Sequence, residues 1–387
     1  MLYDFNTPIN RKNTYSEKWN VKENELPMWV ADMDFAAAPE IRAAIEARAA
    51  HGVFGYTCIP DAWYQAYGDW WESRHSFRMQ KDWLVFCTGI VPAISSIVRK
   101  LTTPAEKVVL QTPTYNVFFN SILNNGRQVL ENPLKYDGKT YRMDFVDLEE
   151  KLADPQTSMM ILCNPQNPTG NIWDRETLAK IGELCRKYHV IVISDEIHCD
   201  ITAPGCDYIP FASVSEACRE NSVTCIAPTK TFNLAGLQTA AVAVPNETLR
   251  HKVWRGLNTD EVGEPNAFAV DAAIAAFTKG GPWLDELRVY VDQNKKTVAE
   301  YVEKRIPQLT VVPSQATYLI WIDGRAIPDA PGADPDLAHR IRAKSGLYLC
   351  SGSQYGKDGE GFLRMNVACP SSMVREGLAR LETSLKS

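Results

Sequence analysis

From residue 84 onward, short apolar runs rich in β-branched residues alternate with longer amphipathic stretches. That rhythm is the one expected of βα units wound around a mostly parallel sheet. Strands are predicted at 84–87, 107–111, 159–163, 190–194, 223–226 and 240–244, with helices at 91–101, 174–188 and 246–255. Near Pro282 the pattern changes. A long amphipathic stretch at 283–305 leads into apolar runs at 309–312 and 318–322, then into a Pro-, Asp- and Gly-rich segment at 323–335 that is expected to be a mobile surface loop. A helix at 337–345, a strand at 362–367 and a last helix at 373–384 follow, the mixture of a smaller α+β unit.

The first fifty residues differ from both patterns. A polar arm runs into Pro27-Met28-Trp29-Val30-Ala31-Asp32-Met33-Asp34-Phe35, and a helix is predicted from Pro39 to about Ala50. The expected division is an arm and helix at 1–50, packing with the C-terminal unit or a second subunit; a large α/β domain at 51–281; and a small domain at 282–387. No internal repeat or low-complexity tract interrupts it.

A chain of 387 residues, 45% hydrophobic and 23% charged, suits a soluble globular enzyme of two or three domains with a large core. The net charge of -6 supplies no basic face for nucleic acid. Ten cysteines are scattered, and Cys87, Cys163 and Cys225 fall in predicted strands, the placement of buried reduced thiols in a cytoplasmic protein. Six histidines show no metal-ligand spacing, so no metal is expected. The N-terminus lacks a secretory pattern, and no apolar run reaches membrane-spanning length.

Candidate chemistry gathers where predicted strands end, the place where open α/β sheets hold ligands. Thr88-Gly89-Ile90-Val91-Pro92 turns a strand into a helix, and the backbone N–H groups at such a start suit an anion, but the motif alone is weak because many such turns carry a glycine for packing. Asn164-Pro165-Gln166-Asn167-Pro168-Thr169-Gly170 is a loop dense in turn formers, in which Asn167 either donates to a phenolate oxygen or serves its own backbone. Asp195 ends the run Val190 to Ser194; it suits pairing with a protonated pyridine nitrogen, a helix cap or a metal. Glu196 beside it suits structural hydrogen bonds. Lys230, in Ala227-Pro228-Thr229-Lys230-Thr231-Phe232-Asn233, would pass for a surface amine if it stood alone.

Taken in order, the residues from Thr88 to Arg364 resemble the fold type I pyridoxal-phosphate enzymes of the aminotransferase class I/II family. Trp29 to Phe35, Asp195-Glu196-Ile197-His198-Cys199-Asp200 and Ala227 to Gln238 are similar to the MalY/PatB-type C–S lyases, the bacterial cystathionine β-lyase branch. The resemblance spans essentially the whole chain. It implies a seven-stranded, mostly parallel sheet sandwiched by helices, pyridoxal 5'-phosphate as cofactor, and a homodimer with shared active sites. By the same resemblance Lys230 bonds covalently to the cofactor's aldehyde, Asp195 pairs with its pyridine nitrogen, and Asn167 contacts its ring oxygen. Tyr115 stacks on its face. Gly89, Ile90, Val91 and the hydroxyl of Thr229 hold its phosphate, and Tyr56 reaches across the dimer into the partner's site, toward both cofactor and substrate. Arg364 clamps the substrate carboxylate, and Ala31 lies at the substrate.

Two departures from the wider family stand out. Ala227 and Gln238 occupy positions where many relatives place phosphate-binding Ser and Arg, and His198 stands where aminotransferases usually have Tyr. His198 is either a cofactor contact or a hydrogen-bonded neighbour. The implied reaction is α,β-elimination: cystathionine would give homocysteine and cysteine would give sulfide, each with pyruvate and ammonia. An aminotransferase is the nearest alternative, since both reactions begin with loss of the α-proton. A regulatory binding protein on the same scaffold is the alternative from another class.

Overall fold

The computed structural model describes residues 2–328 and 336–386. Its larger sheet contains β1 (Leu84–Cys87), β2 (Lys107–Thr112), β3 (Gln128–Pro133), β4 (Thr157–Cys163), β5 (Ile191–Asp195), β6 (Ser222–Ile226) and β7 (Ala240–Ala243). The strand order is β1-β7-β6-β5-β4-β2-β3. Only β7 runs against the rest: it is antiparallel to both β1 and β6, while the other pairings are parallel. Strands β1 to β6 therefore all point the same way and end at one edge.

Successive residues of these strands feed opposite cores, as the two-residue period of a strand requires. Val108, Leu110, Met159, Ile161 and Ile193 pack on one face with helices Ile90–Leu101 and Glu247–Thr259. Val109, Met160, Leu162 and Val192 pack on the other with Phe145–Leu152 and Arg175–Lys187. A sheet covered on both sides needs runs of apolar residues instead of alternation, and this is why its central strands were visible in the sequence. The predicted helix boundaries at Asp174 and Asn246 are N-caps whose side chains accept from Thr177 N and Leu249 N.

The smaller sheet is antiparallel, with β8 (Thr310–Val311), β9 (Leu319–Asp323), β10 (Cys350–Ser351) and β11 (Phe362–Asn366) in the order β8-β9-β11-β10. Helices Gly281–Arg305, Leu337–Ser345 and Ser371–Leu385 accompany it. The arm joins this end of the molecule: Leu26–Pro27 pairs in parallel with Leu347–Tyr348, and Asp34 N donates to Ala368 O. Residues 329–335 of the expected loop lie outside the described residues.

Several elements were not read from the sequence. Strand β3 closes one sheet edge and carries Glu131, Asn132 and Pro133 instead of an apolar run. Helix Asp61–His75 buries Trp63, Tyr67, Trp70 and Trp71 against the alanine-rich helix Ala269–Lys279. The short helix Val117–Leu123 was also missed. Eight of the ten cysteines are buried, while Cys58 is exposed and Cys206 half-buried. Among the described residues no helix is long and apolar enough to cross a membrane.

Candidate active site

The common edge of β1 to β6 is where the predicted site residues converge. Register places Cys163, Asp195 and Cys225 side by side across β4, β5 and β6. Gly89 stands two residues beyond β1, Tyr115 three beyond β2, Asn167 four beyond β4 and Lys230 four beyond β6, while Asp195 is the last residue of β5. The topology thus delivers residues spread from position 89 to position 230 of the chain to one shelf.

The charges on that shelf are perturbed in directions that favour chemistry. Burial, then the nearby Arg364 cation, lowers the amine of Lys230 to about 8, against a smaller opposite pull from Asp32 and Asp195. Its Nζ donates to Ala31 O at 2.6 Å. Burial raises Asp195 to about 7, offset in part by Ile197 N, which donates to Oδ1 at 3.1 Å, and by the charge of Lys230. Glu196 is raised to about 8 by burial, and it is fully engaged: it accepts from Ser194 Oγ at 2.8 Å, from Phe211 N at 2.9 Å and from the hydroxyl of Tyr208. His198 is held neutral, pushed down to about 3 by burial and by the charges of Lys230, Arg364 and Lys295.

Arg364 reaches the shelf from β11. It is 4% exposed, donates from Nη1 to Asn167 Oδ1 at 3.1 Å and from Nη2 to Trp29 O at 2.9 Å, and lies 5.0 Å over the Tyr355 ring. Two residues on, and so on the same face of the strand, Asn366 donates through Nδ2 to Val30 O and Asp32 O, both at 2.6 Å. Tyr318 donates its hydroxyl to Ala31 O at 3.0 Å, the carbonyl that Lys230 also uses. Asn233, three residues past Lys230, accepts from Met33 N and donates to Met33 O and Phe35 O. Sequence reasoning missed Tyr318, Tyr355, Asn366 and Cys350, whose Sγ accepts from Arg364 Nη2 at 3.4 Å. Only Asn366 had a signal, its alternation with Arg364; the others act through distant backbone carbonyls or by lying next to Arg364.

The residues present fit pyridoxal phosphate. Among the described residues the buried Asp195 carboxylate accepts a single hydrogen bond, from Ile197 N, and Nδ1 of His198 and Nε of Arg364 are buried without a partner. Such groups are costly unless something else engages them. Helix Ile90–Leu101 has no acidic residue in its first turn and no side-chain cap, so its first N–H groups suit a phosphate. The φ of 171° at Gly89 is ordinary extended backbone, and a Cβ there would stand 3.3 Å from Pro92 Cδ. Thr229 is buried in the first turn of helix Pro228–Thr231, and Tyr115 is half-buried edge-on to Phe118.

Tyr56 is the expected site residue that the chain does not bring to the shelf. It is fully exposed in the irregular segment between helices Pro39–His51 and Asp61–His75. Ala31 contributes its carbonyl oxygen, already shared by Lys230 and Tyr318.

The family model for aminotransferase class I and II matches residues 23–381. Cystathionine beta-lyase PatB of Bacillus subtilis (strain 168) is 41% identical over 389 residues, covering 99% of this chain and 100% of the relative. A PLP-bound putative aminotransferase from Clostridium difficile 630 superposes with a TM-score of 0.95 at 36% identity, covering 99% of this chain and 100% of that one. The PLP-bound C-S lyase from Staphylococcus hominis gives 0.94 at 31% identity, with 99% of each chain covered.

Proposed function

The chain belongs to the aminotransferase class I and II family, and from that premise we propose that it is a carbon–sulfur β-lyase acting on cystathionine, cysteine or related S-substituted cysteines. Its cofactor is pyridoxal 5'-phosphate. The observation that carries the reading is the meeting of a depressed Lys230 amine, a buried Asp195 and a buried Arg364 on one shelf, in a chain 41% identical over 99% of its length to a cystathionine beta-lyase.

When bound, the cofactor supplies an electron sink for the bonds at the substrate's α-carbon. The protein's own groups do the rest. Arg364 binds the α-carboxylate, its buried Nε being without a partner among the described residues. Asn167 and Trp29 O accept from its two terminal nitrogens and so fix its plane. Asp195 retains a proton at the ring nitrogen. Lys230 removes the α-proton, a role for which an amine near pKa 8 is far better suited than one at its usual value. The hydroxyl of Thr229 and the N–H groups of Gly89, Ile90 and Val91 hold the phosphate. With Ala227 and Gln238 where many relatives have Ser and Arg, neutral groups hold it, in keeping with the resemblance to the lyase branch. Loss of the thiol leaves a three-carbon fragment that hydrolyses to pyruvate and ammonia on release.

Tyr56 enters this scheme only through a second copy of the chain. Val53, Phe54 and Tyr56 are exposed by 63%, 55% and 104%, an apolar stretch that suits burial in a homodimer. We propose such a dimer, working in the cytoplasm.

The deciding experiment incubates purified protein with cystathionine, with cysteine, and with an aromatic amino acid plus a keto acid. Pyruvate and free thiol formed without any keto acid are expected. Amino transfer that depends on the keto acid, with no thiol released, would replace this reading by an aminotransferase.

A further inference from the structure

The last residue of the Asp195-Glu196-Ile197-His198-Cys199-Asp200 segment plays no part in the chemistry above, yet its carboxylate is held by three side chains. Asp200 is 3% exposed. Its Oδ1 accepts from Trp70 Nε1 at 2.9 Å and stands 2.9 Å from His75 Nε2, and its Oδ2 accepts from Thr231 Oγ1 at 2.8 Å. His75, Cys199 and Asp200 bring ligand atoms within 4.8 Å of one another, as a metal site would. Both carboxylate oxygens are already taken by these donors, however, and burial pushes the Cys199 thiol well up, away from the thiolate a metal needs. The cluster is therefore a tether.

What it tethers is the turn that carries Lys230. Helix Pro228–Thr231 has four residues, too few to hold itself by its own hydrogen bonds. Asn233 pins it from one side, through Met33 and Phe35. On the other side Thr231, next to Lys230, is fixed by Asp200. Asp200 in turn sits five residues from Asp195, across tight turns closed by Cys199 N to Glu196 O and Ile201 N to His198 O. One rigid path thus joins the carboxylate at the cofactor's ring to the lysine at its aldehyde.

We propose that Asp200 is a positioning residue for Lys230, acting through the hydroxyl of Thr231 with His75 and Trp70 holding the carboxylate in place. The inference rests on the reading of Lys230 as the cofactor-bearing base. Four variants of the holoenzyme test it: Asp200→Asn, Thr231→Val, Thr231→Ser and the double Asp200→Asn/Thr231→Val. Thiol release, visible absorbance of the Lys230-bound cofactor, and its rate of loss after dilution into cofactor-free buffer are measured for each. Asp200→Asn and Thr231→Val should each lower kcat roughly tenfold or more, the scale expected of a misplaced base, with KM within about twofold. Both should lose cofactor faster, and the double variant should be no worse than the worse single, since they break one path. Thr231→Ser, which keeps the hydroxyl, should recover most of the rate. Wild-type kcat and cofactor retention in Thr231→Val would overturn the proposal, as would multiplicative losses in the double variant. If Asp200→Asn does not fold, the Val and Ser pair at 231 decides alone. Absence of Lys230-bound absorbance in the unaltered protein would overturn the reading of Lys230 as well, so the two failures are distinct.

Discussion

Two clusters of buried charge meet at Ala31, and they are built on opposite rules. On the arm side, Asp34 is 2% exposed and accepts from Arg11 Nη1 at 2.8 Å, Lys18 Nζ at 2.6 Å and Trp19 Nε1 at 2.8 Å. Lys18 is 1% exposed, and Arg11 also grips both oxygens of Asp32, at 2.9 and 2.7 Å. Every charge there has an opposite charge in contact. On the shelf side, among the described residues, the Asp195 carboxylate accepts one hydrogen bond, while His198 Nδ1 and Arg364 Nε have no partner. Lys230 leans on a neutral carbonyl. The arm cluster resolves its desolvation within the protein, whereas the shelf leaves it to be resolved by what binds. Unresolved charge marks the site; resolved charge marks its support.

The contrast is sharpest if each cluster loses its central group. Lys230→Ala should lower turnover by roughly a thousandfold or more, within the range that a positioned acid–base group contributes. Its melting temperature should barely move, since the amine removed is one that burial already disfavours as a cation. Thiol release and thermal unfolding on the same sample check this; a large loss of stability would mean that Lys230 is structural and the division is wrong. Asp34→Asn should do the reverse. Removing one partner of a buried pair leaves the other uncompensated, at a cost of about 3 kcal/mol. Asp32 remains 3.6 Å from Lys18 and limits the damage. Denaturant unfolding should show that loss, while turnover per bound cofactor should fall far less than in Lys230→Ala.

The same contrast explains what could be read from the sequence. The shelf was legible because its residues from the larger sheet end or follow strands whose apolar runs are needed for burial on both faces: Asp195 after Ile191–Ser194, Asn167 after Met159–Cys163, Lys230 after Val223–Ile226. The resemblance then ordered them. The support was not legible, because Tyr318, Asn366 and Asn233 act on the backbone carbonyls of residues 30–35, and a carbonyl has no signature in the sequence. Asp200 and Thr231 lay inside quoted segments, yet nothing local tells that one binds the other or that Trp70 and His75, from an unread helix, complete the set. Gly170 shows the same limit: its φ of 74° suits the turn that was read, but a Cβ there would lie 2.1 Å from Ser314 Oγ, a close approach visible only in the fold.

The smallest expected effect is also the most discriminating, because it concerns direction. Burial is the first cause of the depressed Lys230 amine and remains in any variant that keeps the fold, so altering the neighbouring charges shifts only the remainder. Arg364 pushes the amine down and Asp195 pulls it up. The rate at which cofactor-stripped protein takes up pyridoxal phosphate needs a neutral Lys230, and should rise with pH through a midpoint near 8. Arg364→Gln removes a like charge and makes the ammonium easier to form, so the midpoint should move up. Asp195→Asn removes an opposite charge, so it should move down. Each shift should be on the order of one pH unit or less, the scale of a single nearby charge. The titration of the free cofactor, before it reaches Asp195, is common to all three proteins and cancels from the differences. Opposite shifts would place Lys230 electrostatically between the two residues, as a shelf of mutually unresolved charges requires. Shifts of the same sign would mean that the amine answers to a change in packing instead, and the line between site and support would have to be redrawn.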